Sequence, residues 1–487
     1  MSSSIVLQKA AENGLTVTGL TFRSQDVRPG FVFFALKGAN ADGNLFIDDA
    51  LARGAGMVVS MFAPAKPCPA LYYQSADIDR DMADAAYEFY GRPSDAMHMT
   101  GITGTKGKTS IAYLLESILT AAGHKVGALG TVNYRMAGQV LSKAPNTTPA
   151  ALVLFELLAR MKNGGCDSVV MEVSSHALEL QRVRHIWYDT AVFTNLQRDH
   201  LDFHHTFENY FKAKQKLFEN LADPHNFKPN RVAVINADDP YGKRLLELLQ
   251  GRVKTVTFGL ESEADFKAQD IQETLEGTSF SINGTPMHIR LLGRHNVYNA
   301  LAACAAAWVH GADEAAIVRG LAALPGVPGR MERIDEGQPF SVFVDFAYTD
   351  ESLRRAFDTV EPFKKGRVLV VFGCGGQRDR TKRPLMGNTA CSRADRVFLT
   401  NDNPRCEDPQ QIFNDILAGM KDFSNYQIIP DRAQAIESAL KEAQPGDIVI
   451  IAGKGHEDYQ LVGTQKRHFS DQETVRTWLQ KEKKKYV

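Results

Sequence analysis

The sequence predicts an α/β protein in three domains, the central one built on a largely parallel sheet. Three observations predict it. Short apolar runs suited to buried strands alternate with helical patterns, a Gly-rich loop joins one such run to a helix, and a Gly/Pro cluster from Leu324 to Arg330 marks a break after which the alternation restarts. A length of 487 residues carries a prior of about three domains. The expected boundaries are 1–96, 97–333 and 334–487.

In chain order, the first segment mixes apolar runs (Val32 to Leu36, Gly56 to Ser60) with Gly and Pro turns. It ends in a helical stretch, Asp81 to Tyr90, stopped by Gly91, Arg92 and Pro93. His98 to Thr103 then leads into the Gly-rich loop and a helical pattern from Ile111. Strand-like runs follow at Ser168 to Met171, Thr190 to Phe193 and Val232 to Ile235, with helices expected at Ala150 to Met161 and Phe207 to Phe218. Beyond the Gly/Pro cluster the strands are Ser341 to Val344, Val368 to Phe372, Arg396 to Leu399 and Ile448 to Ile451. The Lys-rich end, Lys481 to Lys485, reads as a solvated helix end.

Composition narrows the function classes. With 56 basic and 57 acidic residues the chain has a formal charge of -1, so neither nucleic acid nor a membrane surface is an expected whole-chain partner. No apolar run approaches the ~20 residues that span a bilayer, and the start does not read as a signal peptide. Six scattered cysteines with no CxxC pair suit reduced thiols, so a cytoplasmic location is expected.

The Gly-rich loop contains Gly104, Thr105, Lys106, Gly107, Lys108, Thr109 and Ser110. Backbone N–H groups and a helix N-terminus suit phosphates, Lys108 offers a point charge, and the Thr109 hydroxyl can ligate Mg²⁺. The spacing fits the ordinary GxxxxGK[ST] template from neither Gly101 nor Gly104.

In the helix from Phe207, apolar residues fall at 207, 210, 211, 217 and 218, and the missing member of that stripe is Lys214. Two readings stand: a stem that packs while its head snorkels to water, or a buried amine that desolvation keeps neutral. A neutral amine can take up CO₂ as a carbamate, an anionic oxygen ligand for a hard cation.

These signatures together resemble the Mur ligase family, and within it the members that add the third residue, of the diaminopimelate type. The phosphate loop matches at Thr103 to Thr109, with Lys106 where Asn is common. Glu172 to His176 matches Glu-Val-Ser-Ser-His, Asp199 to Asp202 matches Asp-His-Leu-Asp, and Tyr210 to Phe218 matches the lysine motif. The resemblance implies a P-loop-type ATPase domain between an N-terminal nucleotide-sugar-binding domain and a C-terminal Rossmann-like domain.

It further implies that Lys108, Glu172, His200 and a carbamylated Lys214 are catalytic, with Thr109, Glu172, His200 and Lys214 as Mg²⁺ ligands. Asn299, Arg330 and Asp345 join the loop in holding ATP, and Asn296 lies in the same segment. For the UDP precursor the resemblance points to Ser24, Ala39, Asn40, Ala41, Asn146, Thr147, Thr148, Ser174 and Arg182, of which Thr147, Thr148 and Ser174 also suit turns or caps. The chain departs from the family at Tyr348, where a histidine is usual, and at Asp350, where a proline is.

Three C-terminal loops follow strand-like runs and so belong at the carboxyl edge of a sheet, where α/β folds bind ligands. They carry Arg378; Asp402, Asn403, Pro404 and Arg405; and Gly453 and Glu457. The distal end of meso-diaminopimelate presents a carboxylate for Arg405 and Arg378 and an ammonium for Glu457. L-Lysine would leave Arg405 without its partner.

The implied activity is ATP-dependent addition of meso-diaminopimelate to UDP-N-acetylmuramoyl-L-alanyl-D-glutamate through an acyl phosphate, by a monomer, for peptidoglycan synthesis. The alternatives are the same chemistry with L-lysine, L-ornithine or a folate substrate, and a catalytically silent scaffold on the same fold.

Overall fold

Four short strands near the start, Gly19–Thr21, Phe31–Phe34, Met57–Ser60 and Leu71–Gln74, lie side by side in that order as a parallel sheet. The apolar residues of the first three strands are buried apart from half-buried Phe31, those of the fourth are half-buried, and the helix Ile78–Phe89 packs its Met82, Ala85 and Ala86 face into the same core. Asp77 caps that helix by accepting from Arg80 N, which sets its start three residues before the sequence pattern does. The computed structural model describes residues 4–38, 41–64 and 66–482. They fold as two compact units, Met1–Ala268 with Tyr298–Leu321, and Gln269–Val297 with Ala322–Val487.

In the first unit the main sheet runs in the spatial order Lys254–Gly259, Val232–Asn236, Thr190–Phe193, His98–Thr103, Ser168–Glu172 and Val126–Leu129, all parallel. Ser168–Glu172 and Val232–Asn236 are buried along their whole length, as strands covered on both faces require. An antiparallel extension, Asn133–Met136 and Gln139–Lys143, follows Val126–Leu129. Its outer strand is largely exposed and has no apolar run, which is why the sequence pattern does not announce it.

The register places the site. Ile102 pairs with Glu172 and Thr103 with Phe193, so three strands end together around the loop that begins at Gly104. Two helices flank that edge. Lys108–Ala121 starts at Gly107, and Phe207–Leu221 is capped by Thr206, whose hydroxyl accepts from Asn209 N.

The second unit holds a six-stranded sheet in the order Glu332–Ile334, Ser341–Asp345, Ile448–Ala452, Val368–Phe372, Arg396–Leu399 and Tyr426–Ile428. Only the first of these is antiparallel to its neighbour. Val368–Phe372 and Ile448–Ala452 are wholly buried between apolar helix faces. Two hairpins that the sequence pattern does not announce, Gly277–Ile282 with Thr285–Ile289 and Tyr459–Val462 with Gln465–His468, belong to this unit.

The last helix is Asp471–Glu482; Lys483 to Lys485 lie outside the described residues. All six cysteines are free, and no helix among the described residues is long and apolar enough to cross a membrane.

Candidate functional site

The loop after His98–Thr103 depends on backbone that only glycine adopts readily. Gly104 and Gly107 have φ of +145° and +92°. A Cβ at Gly104 would collide with Thr194 Oγ1, and one at Gly107 with Asn299 Oδ1, so Asn299 sits directly against the loop. The neighbouring strand's loop bolts it down: Thr105 N donates to Asn195 O at 2.9 Å, Lys106 N to Asn195 Oδ1 at 3.0 Å, and Gln197 N to Thr105 Oγ1 at 2.9 Å. Ser110 is buried in the first helical turn. Lys108 Nζ folds back onto Gly104 O (2.9 Å) and Thr105 O (3.1 Å).

Glu172, the last residue of its strand, is buried beside this loop. Thr109 Oγ1 donates to Glu172 Oε2 at 3.1 Å, Thr131 N to Oε1 at 2.8 Å, and Thr131 Oγ1 to Oε2 at 2.9 Å. Thr131 went unread in the sequence. No sequence pattern marks it; the preceding Gly130 makes room for the carboxylate, since a Cβ there would collide with Glu172 Oε1.

Lys214 faces inward, as the helical periodicity requires. It is 1% exposed, and its amine donates to Gly104 O at 2.9 Å, 4.5 Å from the centre of the Tyr210 ring. Burial drives this amine well below the ordinary lysine value, reinforced by Lys108 and opposed by Asp199. The snorkelling alternative is thereby excluded.

His200 has φ of +52° and lies within ring contact of His176 (4.9 Å) and Tyr210 (6.1 Å). Burial lowers its pKa, Asp199 opposes, and Lys108 and Lys214 add to the lowering. Tyr210 OH is 3.2 Å from Thr105 Oγ1, so the lysine helix and the phosphate loop share a polar contact.

A second cluster lies at the start of the helix Ser175–Glu179. Ser174 caps it by accepting from Ala177 N. Thr148 Oγ1 donates to Glu172 O at 2.8 Å and accepts from Ser174 N at 3.0 Å, while Arg182 Nη1 donates to Thr148 O at 3.2 Å. Thr147 Oγ1 is 3.0 Å from Thr131 Oγ1, and Asn146 O accepts from Tyr134 OH at 2.8 Å. Asn146, Thr147, Thr148, Ser174 and Arg182 are therefore one neighbourhood, joined to Glu172. Ser24 is buried and bonded to the Asp49 carboxylate. Ala41 is exposed and its carbonyl accepts from Gly38 N, while Ala39 and Asn40 lie outside the described residues.

In the second unit, Asp345 ends its strand and accepts from Met331 N at 2.7 Å. Burial pushes its carboxyl up to about 6, and Arg330 opposes the shift. Arg330 lies 5.4 Å from the centre of the Phe346 ring. Asn296 Nδ2 donates to Leu292 O at 2.8 Å, a local backbone contact. Tyr348 is half exposed, its carbonyl accepting from Lys382 Nζ at 2.7 Å, and Asp350 opens a helix capped by Thr349.

The three expected loops do meet. Arg405 (φ +54°) donates from Nη1 to Gly376 O at 2.8 Å, and its backbone pairs with Leu461 and Gly463. Asn403 Nδ2 donates to Glu457 Oε2 at 2.8 Å. Asp402 and Pro404 are buried, and a Cβ on Gly453 (φ +117°) would stand 2.8 Å from Asp402 Oδ2. Arg378 is exposed, with its Cγ 3.8 Å from where a Gly375 Cβ would sit. Lys454, fully buried between Asn403 and Glu457, was missed because its partners are loop residues with no periodicity to betray them.

The donor chemistry at Thr109 and Glu172 suits Mg²⁺, which takes hard oxygens from one or two protein groups and fills its shell with water and phosphate. No group of three His, Cys, Asp or Glu side chains among the described residues is arranged to hold a metal.

Family models match at residues 16–86 (Mur ligase family, catalytic domain), 102–307 (Mur ligase middle domain) and 329–455 (Mur ligase, glutamate ligase domain). The UDP-N-acetylmuramoyl-L-alanyl-D-glutamate–2,6-diaminopimelate ligase of Solibacter usitatus is 46% identical over 468 residues, 95% of this chain and 93% of that one. A solved structure of a ligase of the same name is 33% identical with a TM-score of 0.67, covering 96% of this chain and 95% of its own. The ADP complex of MurF ligase from Thermotoga maritima shares the fold at 21% identity, with a TM-score of 0.63 over 97% of this chain and 99% of its own. On the identity and coverage of the Solibacter relative, the chain belongs to the Mur ligase family.

Proposed function

We propose that this chain is an ATP-dependent ligase that joins meso-diaminopimelate to UDP-N-acetylmuramoyl-L-alanyl-D-glutamate. The observation that carries the reading is the buried Lys214 amine on the phosphate loop's own carbonyl, beside Lys108 and across the loop from the Thr109–Glu172 pair. The named relatives supply the substrates: proteins of that name are 41–46% identical over most of this chain.

The reaction runs in two steps. A carboxylate oxygen of the precursor attacks the γ-phosphorus of ATP, forming an acyl phosphate as ADP leaves. The diaminopimelate amine then attacks the acyl carbon, losing a proton, and inorganic phosphate departs as the amide forms. The loop's N–H groups and Lys108 hold the phosphates in place. Thr109 and Glu172 would hold one Mg²⁺, and His200 with Lys214 a second, which would supply charge neutralisation between the two anionic reactants.

Lys214 enters as a carbamate. Its uncharged amine adds CO₂ and releases one proton, turning the nitrogen donor into an anionic oxygen ligand. Asn299, Arg330 and Asp345 are assigned to the nucleotide. Ser24, the 39–41 turn, Asn146, Thr147, Thr148, Ser174 and Arg182 are assigned to the UDP precursor. Arg378, Asp402, Asn403, Pro404, Arg405, Gly453 and Glu457 are assigned to the amino acid. The division at 1–96, 97–333 and 334–487 belongs to the same proposal, and the three family-model spans support it.

The test is phosphate release by the purified protein with ATP, the UDP-muramoyl dipeptide and each of meso-diaminopimelate, L-lysine and L-ornithine. Turnover dependent on meso-diaminopimelate is expected. No release with any of the three overturns the proposal.

A further inference from the structure

We infer that Lys454 is a specificity-determining positioning residue: it neutralises Glu457 inside the amino-acid pocket and so makes the pocket prefer a zwitterionic side-chain end over a purely cationic one. This rests on the ligase reading above and names a determinant within its amino-acid site.

Lys454 is completely buried. Its amine donates to Glu457 Oε2 at 3.2 Å and to Asn403 Oδ1 at 3.3 Å, and it lies 5.4 Å from the centre of the Tyr459 ring. Asn403 closes the triangle by donating from Nδ2 to the same Glu457 oxygen at 2.8 Å and by accepting from Leu461 N at 2.9 Å. Glu457 Oε2 is thus committed inside the protein. Among the described residues Oε1 takes only the Tyr459 hydroxyl at 3.4 Å, and it is the oxygen available to a ligand ammonium.

The lysine's place is fixed by its neighbours. Gly453 and Gly455 both have positive φ, and a Cβ at Gly455 would collide with Phe346. The loop that carries Lys454 into the interior thus uses, on either side of it, backbone that glycine adopts most readily.

Asp402 and Glu457 are the pocket's acids, with Arg405, Arg378 and Lys454 as bases. Arg432 lies within electrostatic reach of both acids but is itself paired with buried Asp471 at 2.7 Å. With Lys454 in place, Glu457 presents one oxygen of an already compensated carboxylate. A zwitterionic end, carboxylate toward Arg405 and ammonium toward Oε1, brings no net charge into this balance. The end of L-lysine brings +1 and no carboxylate. Removing the Lys454 charge leaves Glu457 without its ion-pair partner, which favours the cation and costs the zwitterion its ordered Asn403–Glu457 frame.

The experiment compares Lys454→Met, close in shape but uncharged, and Lys454→Arg with wild type. It measures kcat and KM for meso-diaminopimelate and for L-lysine at saturating ATP and precursor, with thermal melting of each variant. Lys454→Met should raise KM for meso-diaminopimelate and lower the ratio of kcat/KM values, diaminopimelate over lysine, by roughly tenfold or more, the size of one charge-assisted contact. KM for ATP should stay within about twofold, since no nucleotide contact is touched. Lys454→Arg should recover most of the ratio.

An unchanged ratio in Lys454→Met, or an equal loss for both amino acids with a lowered melting point, overturns the inference and leaves Lys454 a packing residue. The ligase reading is judged separately, by wild-type turnover. Calorimetric binding of the two amino acids to wild type and Lys454→Met reads the same ratio without catalysis, so the positioning role is decided even if the wild type condenses neither.

Discussion

Lys214 and Lys228 are both buried lysines of the first unit, yet their surroundings differ in kind. Lys228 donates to three carbonyls, Ser94 O (3.2 Å), Asp95 O (3.3 Å) and Met97 O (2.6 Å), and pairs with Asp189 at 3.2 Å. Among the described residues Lys214 has one hydrogen-bond acceptor, Gly104 O, with the face of the Tyr210 ring, a second lysine and the more distant Asp199 around it. Lys228 is satisfied as an ammonium and ties the 94–97 turn to the sheet. Lys214 is under-partnered as an ammonium, and the cheapest remedy is to lose its proton or to become an anion. A buried lysine with a full set of acceptors reads as architecture; one without reads as chemistry.

That contrast breaks most sharply under substitution. Lys214→Ala is expected to lower ATP-dependent phosphate release by roughly a hundredfold to a thousandfold, the scale for removing one group that stabilises developing charge. A short carboxylic acid added to the assay should restore part of it, because it replaces the missing anionic oxygens. Full turnover in Lys214→Ala would refute the carbamate assignment.

Stability should order the two lysines the other way. Lys228→Met leaves Asp189 buried without its counter-ion and should destabilise the protein by about 3–5 kcal/mol, read by urea unfolding. Lys214→Met relieves an under-partnered buried amine on an apolar stripe and should be neutral or stabilising by about 1 kcal/mol. Equal losses in both variants would dissolve the distinction.

The pH dependence sharpens it further. The folded pKa of Lys214 is depressed, so below its unfolded value the unfolded chain binds the extra proton, and stability rises with pH between the two values. The advantage of Lys214→Met over wild type should therefore shrink as pH climbs towards 10.5, in parallel urea titrations.

The smallest expected effect is at Asp345, whose carboxyl is raised to about 6 by burial. Between about pH 4 and 6 the folded state holds a proton that the unfolded state has released, so this residue's contribution falls as pH rises. Asp345→Asn should flatten that limb.

The two lysines also show what a sequence can disclose. Lys214 lies on a helix whose apolar positions leave one slot for it, and the observed buried face, Tyr210, Phe211, Ala213, Lys214, Leu217, Phe218 and Leu221, fills that slot. Periodicity converts burial into a readable position. Lys228 and Lys454 sit in irregular segments, where Lys228 reaches carbonyls 131 to 134 positions away and Lys454 reaches Asn403 51 positions away as well as nearby Glu457. No local pattern encodes such partners.

The parallel strands were legible for the same reason as Lys214, since a strand covered on both faces must be an apolar run. The exposed strand Gln139–Lys143 and the hairpin Gly277–Ile289 carry polar residues to water and leave no such trace. Of the candidate site, the phosphate loop, Glu172 and Lys214 were read from pattern and motif. Thr131 and Lys454 needed coordinates.

Gly104 O receives Lys108 Nζ and Lys214 Nζ, each at 2.9 Å, from two different helices. An anion that draws Lys108 forward leaves this oxygen to Lys214 and removes a repelling neighbour from it. Triphosphate affinity and the state of the second amine are then reciprocally linked, so nucleotide titrations in bicarbonate-free and bicarbonate-rich buffer should give different midpoints.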